Sequence, residues 1–183
     1  MRIGIDIDDT ICRTTELVDK KMKEYANENN MDILDVMNNE LERENFYYKC
    51  LPVIYRDAEI KRNVAKVIRR LRNKGNEIYL ITGRSRKQIP SEFNIWNITD
   101  EWLKKNDIEV DGIFSAAYGE NKAIVCKREK IDLMVDDDPY NYKMITGNGG
   151  HCLLFDDREK YDLHKDYVTS WLEVEEYIDK FRG

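Results

Sequence analysis

The sequence contains few of the residues that transition-metal sites and disulfide frameworks need. It has two histidines, His151 and His164, whose spacing is not that of zinc ligands, so we do not expect a zinc site. The four cysteines lie far apart and form no CxxC pair, at Cys12, Cys50, Cys126 and Cys152. This pattern is typical of reduced, mostly buried thiols in a cytosolic protein.

Long apolar segments, linkers and a basic surface are also missing. No apolar run approaches the roughly 18 residues of a membrane span, no leader peptide precedes the first predicted strand, and no Pro/Gly-rich linker interrupts the chain. We therefore expect a cytoplasmic protein with no membrane contact. The net charge of −6 argues against binding to a nucleic acid polymer, which requires a basic face. An anionic small molecule stays open as a substrate, because a local cation can reverse the local potential.

The 183 residues, 42% of them apolar, are enough for one domain with a core and a small insertion. Five short apolar runs predict buried strands, at Arg2–Asp6, Ile78–Ile81, Ile113–Phe114, Ile131–Val135 and Cys152–Phe155. Helical periodicity between them predicts helices, including Ile60–Leu71 and a segment from Glu120 to Glu129 that starts near Lys122. The last helix begins at a capping box of Ser170 and Glu173. This alternation predicts an α/β fold, a parallel sheet with helices on both faces.

Residues 14–57 fit this alternation poorly. They predict a helix around Leu17 to Tyr25 and another from Asp32, and their second half is rich in aromatic residues, namely Phe46, Tyr47, Tyr48 and Tyr55. We interpret the segment as a small helical cap inserted after the first strand, with residues 1–13 and 58–183 forming the core domain. The aromatic side chains fit a buried helical core, which is the commoner role. Alternatively, they form a lid surface that meets an apolar or planar part of a substrate.

Polar residues follow three of the predicted strands. Asp6 and Asp8 end the first strand, Thr82 ends the second, and Asp136 and Asp137 end the fourth. The carboxyl ends of parallel strands are where open α/β sheets bind ligands, so we expect these side chains to converge. Several carboxylates in one place are costly unless a cation compensates them. Carboxylates with few histidines favour a hard, oxygen-ligated cation, and Mg²⁺ is the expected one.

These residue types suit phosphoryl transfer. A carboxylate beside Mg²⁺ can attack phosphorus and form an aspartyl-phosphate, and an aspartate two residues on can protonate the leaving alcohol and later activate water. A hydroxyl and an ammonium group can balance the charge on the phosphoryl oxygens. Lys122, Lys127 and Lys130 are candidates for the ammonium. Lys122 is favoured over Lys127 because it stands near a predicted helix start, and a solvated helix face is the alternative role of each.

Four ordered motifs resemble those of the haloacid dehalogenase-like (HAD) phosphatases, over essentially the whole chain. They are Asp6-Ile-Asp8-Asp-Thr10, Leu80-Ile-Thr82-Gly-Arg84, a downstream lysine, and Val135-Asp136-Asp137. The chain's size, its helical insertion and the ending Val168-Thr-Ser-Trp-Leu-Glu resemble in particular the cytosolic type-C 5′-nucleotidase and deoxyribonucleotidase branch. The resemblance implies a Rossmann-like parallel sheet with a cap. It also implies a Mg²⁺-dependent phosphomonoesterase acting on nucleoside monophosphates.

Carried over onto this sequence, the resemblance implies that Asp6 is the nucleophile and Asp8 the general acid/base. It implies that Mg²⁺ is held by Asp6, the backbone carbonyl of Asp8, and an acid of the pair Asp136 and Asp137, between which the sequence does not decide. Thr82 and Lys122 complete the catalytic set. The residues that bind substrate or phosphate are then Thr10, Thr82, Gly83, Arg84 and Lys122.

Some alternatives stay open at this stage. Thr10 can order the loop instead of touching phosphate, and Arg84 can either contact the substrate or cap the turn. The substrate can be a sugar phosphate or another small phosphomonoester, because substrate choice depends on the cap and not on the fold. A phosphotransferase would use the same residues, and a non-catalytic binding protein is disfavoured because all four motifs are present. The oligomeric state is also open, a homodimer included.

Overall fold

A parallel β-sheet with its first strand near the centre forms the core of this computed structural model, which describes residues 1–85, 90–116, 121–159 and 167–181. The strands found there are β1 (Arg2–Ile5), β2 (Glu77–Thr82), β3 (Gly112–Ser115), β4 (Leu133–Asp136), β5 (Cys152–Phe155) and β6 (Tyr167–Val168). Their order across the sheet is β3-β2-β1-β4-β5-β6, and every pair is parallel. The predicted α/β class is confirmed. The two-residue strand β6 was not predicted, because it is too short to show periodicity.

Helices connect these strands. Within the described residues they are α1 (Thr14–Glu28), α2 (Ile33–Asn38), α3 (Glu40–Asp57), α4 (Val64–Asn73), α5 (Ile95–Lys105), α6 (Lys122–Arg128), α7 (Pro139–Gly147) and α8 (Trp171–Phe181). None of them is both long and apolar enough to cross a membrane. Helix α6 begins at Lys122 as expected, while Glu120 and His164 lie outside the described residues.

The capping box predicted for the last helix is present in a shifted form. The Ser170 hydroxyl accepts a hydrogen bond from the Glu173 backbone N–H at 3.3 Å. The Glu173 carboxylate does not return to Ser170 but accepts the backbone N–H of Thr169 at 2.8 Å. Both bonds occupy backbone donors that a helix start would otherwise leave without partners.

The two faces of the sheet are covered by different helices. On one face, strand residues pack against α4, α5 and α8, among them Ile3, Ile5, Leu133, Val135 and Leu153. On the other face, Ile81 and Met134 pack against α6 and α7. Gly4 of β1 faces this second side, where a Cβ atom would lie 2.8 Å from Met134 Sδ and 3.0 Å from Ile81 Cδ1. Any larger residue at this position of the central strand would therefore have to displace its neighbours.

Helices α1 to α3 occupy residues 14–57, the segment for which the sequence predicts an insertion. They share a core of their own, which Ile95 of α5 joins. Phe46 is fully buried in it and meets the Tyr25 ring edge-on at 5.6 Å. Tyr55 is also buried, whereas Tyr48 is exposed. Most of the aromatic residues of this segment thus pack in its own core, and Tyr48 is the most exposed of the four.

The C-terminal helix holds the loop that follows β1. Trp171, the first residue of α8, is buried, and its indole Nε1 donates a hydrogen bond to the backbone oxygen of Thr10 at 3.0 Å. Its ring packs at 6.0 Å from that of Phe155 at the end of β5. Because Thr10 is fully buried, no water can replace this donor. A residue near the end of the chain thereby fixes the loop that begins at Asp6.

We therefore expect Trp171→Phe to destabilise the protein by about 1–3 kcal/mol, because it leaves the buried Thr10 carbonyl without a donor and shrinks a core side chain. At this chain length each kcal/mol lowers the thermal midpoint by about 2–4 °C. Thermal unfolding measures the effect. Trp96→Phe is the matched control, since Trp96 of α5 is only partly buried. Equal midpoints for the two variants would contradict a structural role for the indole bond.

Candidate active site

Three carboxylates meet at the carboxyl edge of the sheet. Asp6 directly follows β1, and Asp136 is the last residue of the adjacent strand β4, which pairs Ile5 with Val135. The backbone N–H of Asp6 donates to the Val135 oxygen at 3.0 Å, which extends the ladder by one residue. Carboxylate oxygens of Asp6, Asp136 and Asp137 all lie within 4.8 Å of one another. Parallel pairing of two short strands thus produces the convergence that the sequence predicts.

A buried ammonium group joins two of these carboxylates. Lys122 Nζ donates to Asp6 Oδ1 at 2.5 Å and to Asp136 Oδ2 at 2.7 Å. Lys122 is the first residue of α6 and is 7% exposed. Burial opposes its charge, but Asp6 and Asp136 outweigh that effect and raise its pKa above the ordinary value. Among the three candidate lysines, all described in the structure, Lys127 and Lys130 are exposed, and only Lys122 has these contacts.

The site carries more negative than positive charge. Burial raises the pKa of Asp6 well above its ordinary value, Lys122 opposes this shift, and the charges of Asp136, Asp137 and Asp8 add to it. One ammonium cannot compensate three adjacent carboxylates. Hard oxygen donors at this separation suit a hard divalent cation, so the residues present fit Mg²⁺.

The two acids at the end of β4 have different surroundings. Asp136 is fully buried, with Oδ2 on Lys122 and Oδ1 accepting both the Asp138 backbone N–H and Asn141 Nδ2 at 3.0 Å. Asp137 Oδ1 accepts the Thr10 hydroxyl at 3.1 Å. Its Oδ2 receives no hydrogen bond from the described residues. Asp137 therefore has a free oxygen for a metal, whereas Asp136 has none without losing a partner.

Thr10 connects the loop after β1 to the end of β4. Besides donating to the Asp137 carboxylate, its hydroxyl oxygen accepts the backbone N–H of Asp137 at 3.1 Å. Thr10 is fully buried, so this geometry matches its alternative role of ordering the loop. Burial, together with the charges of Asp136 and Asp9, raises the pKa of Asp137 to about 7.

Asp8 lies in a separate ion pair. Arg84 donates to it twice, from Nη2 to Oδ1 at 2.7 Å and from Nε to Oδ2 at 3.0 Å, and the Thr14 hydroxyl donates to Oδ1 at 2.7 Å. Burial alone would raise the pKa of Asp8, but the charge of Arg84 and these hydrogen bonds outweigh it and lower the pKa. Asp8 is therefore held as a carboxylate, in contrast to Asp6, which lies two residues earlier in the same loop.

Arg84 is buried within the protein. Its guanidinium is occupied by Asp8 and by the Thr99 hydroxyl, which Nη1 reaches at 3.2 Å, and the side chain is 1% exposed. Its backbone N–H donates to the Thr82 hydroxyl at 3.2 Å. The sequence left two roles open for Arg84, a contact to the substrate or a cap of the turn. The guanidinium has neither role here, because it is bound to Asp8 and Thr99. Gly83 lies exposed on the same turn.

Two residues near the site have no role assigned from the sequence, namely Asp9 inside the first motif and Asn141 outside all four. Asp9 adopts φ 57°, and its carboxylate accepts the Thr15 backbone N–H at 3.0 Å and Arg158 Nη2 at 2.8 Å. It thereby caps α1 from outside the helix. Asn141 supports Asp136 from the first turns of α7. Their roles arise from tertiary contacts. The sequence gives a hint of a role for Asp9 alone, because it is an acidic residue inside the loop after β1.

Asp137→Asn tests the electrostatic cost of this cluster. The pKa of about 7 exceeds the unfolded value of about 4, so between these pH values the folded state keeps a proton that the unfolded state releases. The free energy of unfolding therefore falls as the pH rises through this window. The variant keeps the oxygen that faces Thr10 but cannot ionise. We expect it to be more stable than the wild type at about pH 8 in a chelator, and similar at about pH 4.

Thermal unfolding in both buffers measures this difference, at about 2–4 °C per kcal/mol. Added Mg²⁺ should raise the midpoint of the wild type more than that of the variant, because the variant lacks one charged ligand. A variant that is less stable at both pH values would show that the carboxylate stabilises the fold.

The sequence matches no protein-family model and no curated protein. Solved structures do match. A haloacid dehalogenase-like hydrolase from Streptococcus pneumoniae gives a TM-score of 0.66 at 15% identity and covers 97% of both chains. A Bacillus subtilis protein, YfnB, assigned as a HAD hydrolase and solved with bound magnesium, gives 0.67 at 10% identity over 97% of this chain and 98% of its own.

A Thermotoga maritima protein assigned as a β-phosphoglucomutase gives a TM-score of 0.67 at 10% identity, over 98% of both chains. Identities this low relate folds and do not transfer an activity. The similarity nevertheless extends over nearly the full length of each chain. The chain has the fold of the haloacid dehalogenase-like hydrolases.

Proposed function

We propose that the protein is a Mg²⁺-dependent phosphomonoesterase that forms an aspartyl-phosphate on Asp6. The observation that carries the proposal is the buried Lys122 ammonium between Asp6 and Asp136, beside the free oxygen of Asp137. A phosphoryl group entering here meets a carboxylate nucleophile and a fixed positive charge. The fold similarity to HAD hydrolases supports the same activity.

The proposed reaction has two steps. In the first, an Asp6 oxygen attacks phosphorus and the bond between phosphorus and the ester oxygen breaks. Because Arg84 holds Asp8 as a carboxylate, the proton that Asp8 passes to the departing oxygen is one that it accepts from the singly protonated phosphate ester. In the second, water attacks phosphorus, its proton returns to Asp8, and the bond between phosphorus and Asp6 breaks. Lys122 and the Thr82 hydroxyl face the charge on the phosphoryl oxygens.

Magnesium, when bound, supplies positive charge that offsets the phosphoryl oxygens and the acidic cluster. Asp6 and the Asp8 carbonyl would hold it together with Asp137, which we favour over Asp136 because both oxygens of Asp136 are engaged. The similarity to a Bacillus subtilis structure that contains magnesium supports this choice of metal.

For the substrate we propose a nucleoside monophosphate, including the deoxy forms. The sequence resemblance to type-C 5′-nucleotidases supports it, and the exposed ring of Tyr48 is available in the cap for a planar base. Phe46 is unavailable, since it is fully buried in the cap core. A sugar phosphate is the second candidate, favoured by the similarity to the protein assigned as a β-phosphoglucomutase. Either substrate is a small phosphorylated metabolite of the kind found in the cytoplasm.

Phosphate release from a panel of nucleoside monophosphates and sugar phosphates, with Mg²⁺ or with a chelator, tests the proposal. We expect Mg²⁺-dependent release by the wild type and none by Asp6→Asn, because an amide cannot attack phosphorus. The best substrate of the panel separates the two candidates. Release that persists in Asp6→Asn would exclude the aspartyl-phosphate, and no release from any compound would count against the activity.

Lys122→Met should lower kcat by about 10²–10³-fold, because it removes a fixed charge from the transferring phosphoryl group. Lys127→Met is the matched control, since Lys127 is exposed on the same helix and should leave turnover unchanged. Thermal unfolding of both variants checks that each is folded under assay conditions. Equal kcat values for the two variants would show that Lys122 has only a structural role.

A further inference from the structure

An aromatic ring at the end of α3 packs against the arginine that binds Asp8. Tyr55 lies in the last turn of α3, is 6% exposed, and places its ring 4.1 Å from Arg84 Cζ. Arg84 in turn makes two hydrogen bonds to Asp8. The chain of contacts runs from the cap helix through a guanidinium to the proposed acid/base carboxylate.

The Arg84 guanidinium is held by neighbours on two edges and on one face. The Arg84 guanidinium donates to Asp8 on one edge and to Thr99 of α5 on another, and Tyr55 covers its face. A cation held over an aromatic ring and removed from water is attracted by the negative face of the ring. Without the ring, water can fill the space beside the guanidinium, or Arg84 can adopt another rotamer. In either case Arg84 loses the contact that fixes the plane of its guanidinium.

Asp8, unlike Arg84, keeps an open side. Its side chain is 30% exposed, whereas that of Arg84 is 1% exposed. The guanidinium therefore lies behind the carboxylate and sets its orientation, while the opposite side remains accessible to a substrate. The Thr14 hydroxyl adds a third hydrogen bond on the protein side.

The end of α3 is itself anchored, so Tyr55 has a fixed position. The backbone oxygen of Ala58, directly after the helix, accepts the Trp102 indole N–H at 2.7 Å. Trp102 belongs to α5, the same helix that supplies Thr99. Both groups that confine Arg84 thus depend on the packing of α3 against α5.

We infer that Tyr55 is a positioning residue of the phosphoryl-transfer site, which through Arg84 orients the Asp8 carboxyl group toward the leaving oxygen of the substrate. The inference rests on the proposed function and extends it to a cap residue outside the four motifs. Tyr55 touches neither the substrate nor the reacting atoms. Its effect must appear in proton transfer to the leaving group and not in the attack by Asp6.

Leaving groups distinguish this role from simple stabilisation. An alkyl phosphomonoester needs a proton on its departing oxygen, whereas p-nitrophenolate departs without one. The parameter kcat/KM reports the first step, in which the leaving group departs. Misplacing Asp8 should therefore lower kcat/KM for the alkyl ester and leave that for p-nitrophenyl phosphate nearly unchanged.

The experiment compares Tyr55→Leu and Tyr55→Phe in the full-length chain with Mg²⁺. The substrates are p-nitrophenyl phosphate and the best alkyl phosphomonoester of the panel. For Tyr55→Leu we expect kcat/KM to fall about 10–100-fold with the alkyl ester and less than about 3-fold with the aryl ester. Tyr55→Phe keeps the ring and should restore the alkyl value. Parallel losses on both esters, no loss on either, or a failure of Tyr55→Phe to rescue would each overturn the inference.

Arg84→Lys provides the second variant, in case Tyr55→Leu does not fold. It keeps the charge but cannot donate from two edges to Asp8, so it should show the same selective loss on the alkyl ester. Equal losses on both esters would overturn the inference here as well. A wild-type protein that hydrolyses neither ester with Mg²⁺ would instead overturn the proposed function itself, and is thereby distinguishable from failure of the positioning role.

Discussion

The structure of the site depends on how buried negative charge is compensated. Asp6 and Asp136 share the Lys122 ammonium, while Asp8 has the Arg84 guanidinium to itself. Removing Lys122 would leave uncompensated carboxylates in the interior, at a cost of about 3–5 kcal/mol for a broken buried pair, whereas removing Arg84 would leave the partly exposed Asp8 without its partner. The sheet order makes this pairing possible, because it places the ends of β1 and β4 side by side. Lys122, the first residue of α6, then contacts an acid from each strand end. Fold and electrostatics are therefore mutually dependent at this edge.

Much of this architecture is predictable from local pattern. The strand runs around Ile5, Leu80 and Val135 show where the sheet lies, and the acids that follow Ile5 and Val135 show which of its edges carries chemistry. Lys122 is identifiable because its position at a helix start is itself a local property. Such features depend on periodicity and on strand ends, which the order of residues along the chain records directly.

Other features depend on contacts between residues far apart in the chain and leave no local trace. The pairing of Arg84 with Asp8 joins residues 76 positions apart, and that of Trp171 with Thr10 joins residues 161 apart. The sequence alone is equally compatible with Arg84 as a substrate contact and as a cap of the turn, and both roles would leave its guanidinium exposed. Only its burial against Tyr55 distinguishes the observed arrangement from these. The choice between Asp136 and Asp137 is of the same kind, because it depends on Asn141 and the Asp138 backbone.

The contrast between Asp6 and Asp8 explains how one short loop can supply two different roles. Burial among like charges raises the pKa of Asp6, so its carboxylate depends on cations that a filled site would provide. Arg84 and Thr14 lower the pKa of Asp8 and so favour its carboxylate form, which is the base that the second step requires. Two carboxyl groups two residues apart thereby differ because their neighbours differ. The side chains around Asp6 come from β4 and α6, while the arginine beside Asp8 is covered by Tyr55 of α3. A substitution that disturbs the end of α3 would therefore act on Asp8 before it acts on Asp6 and Lys122.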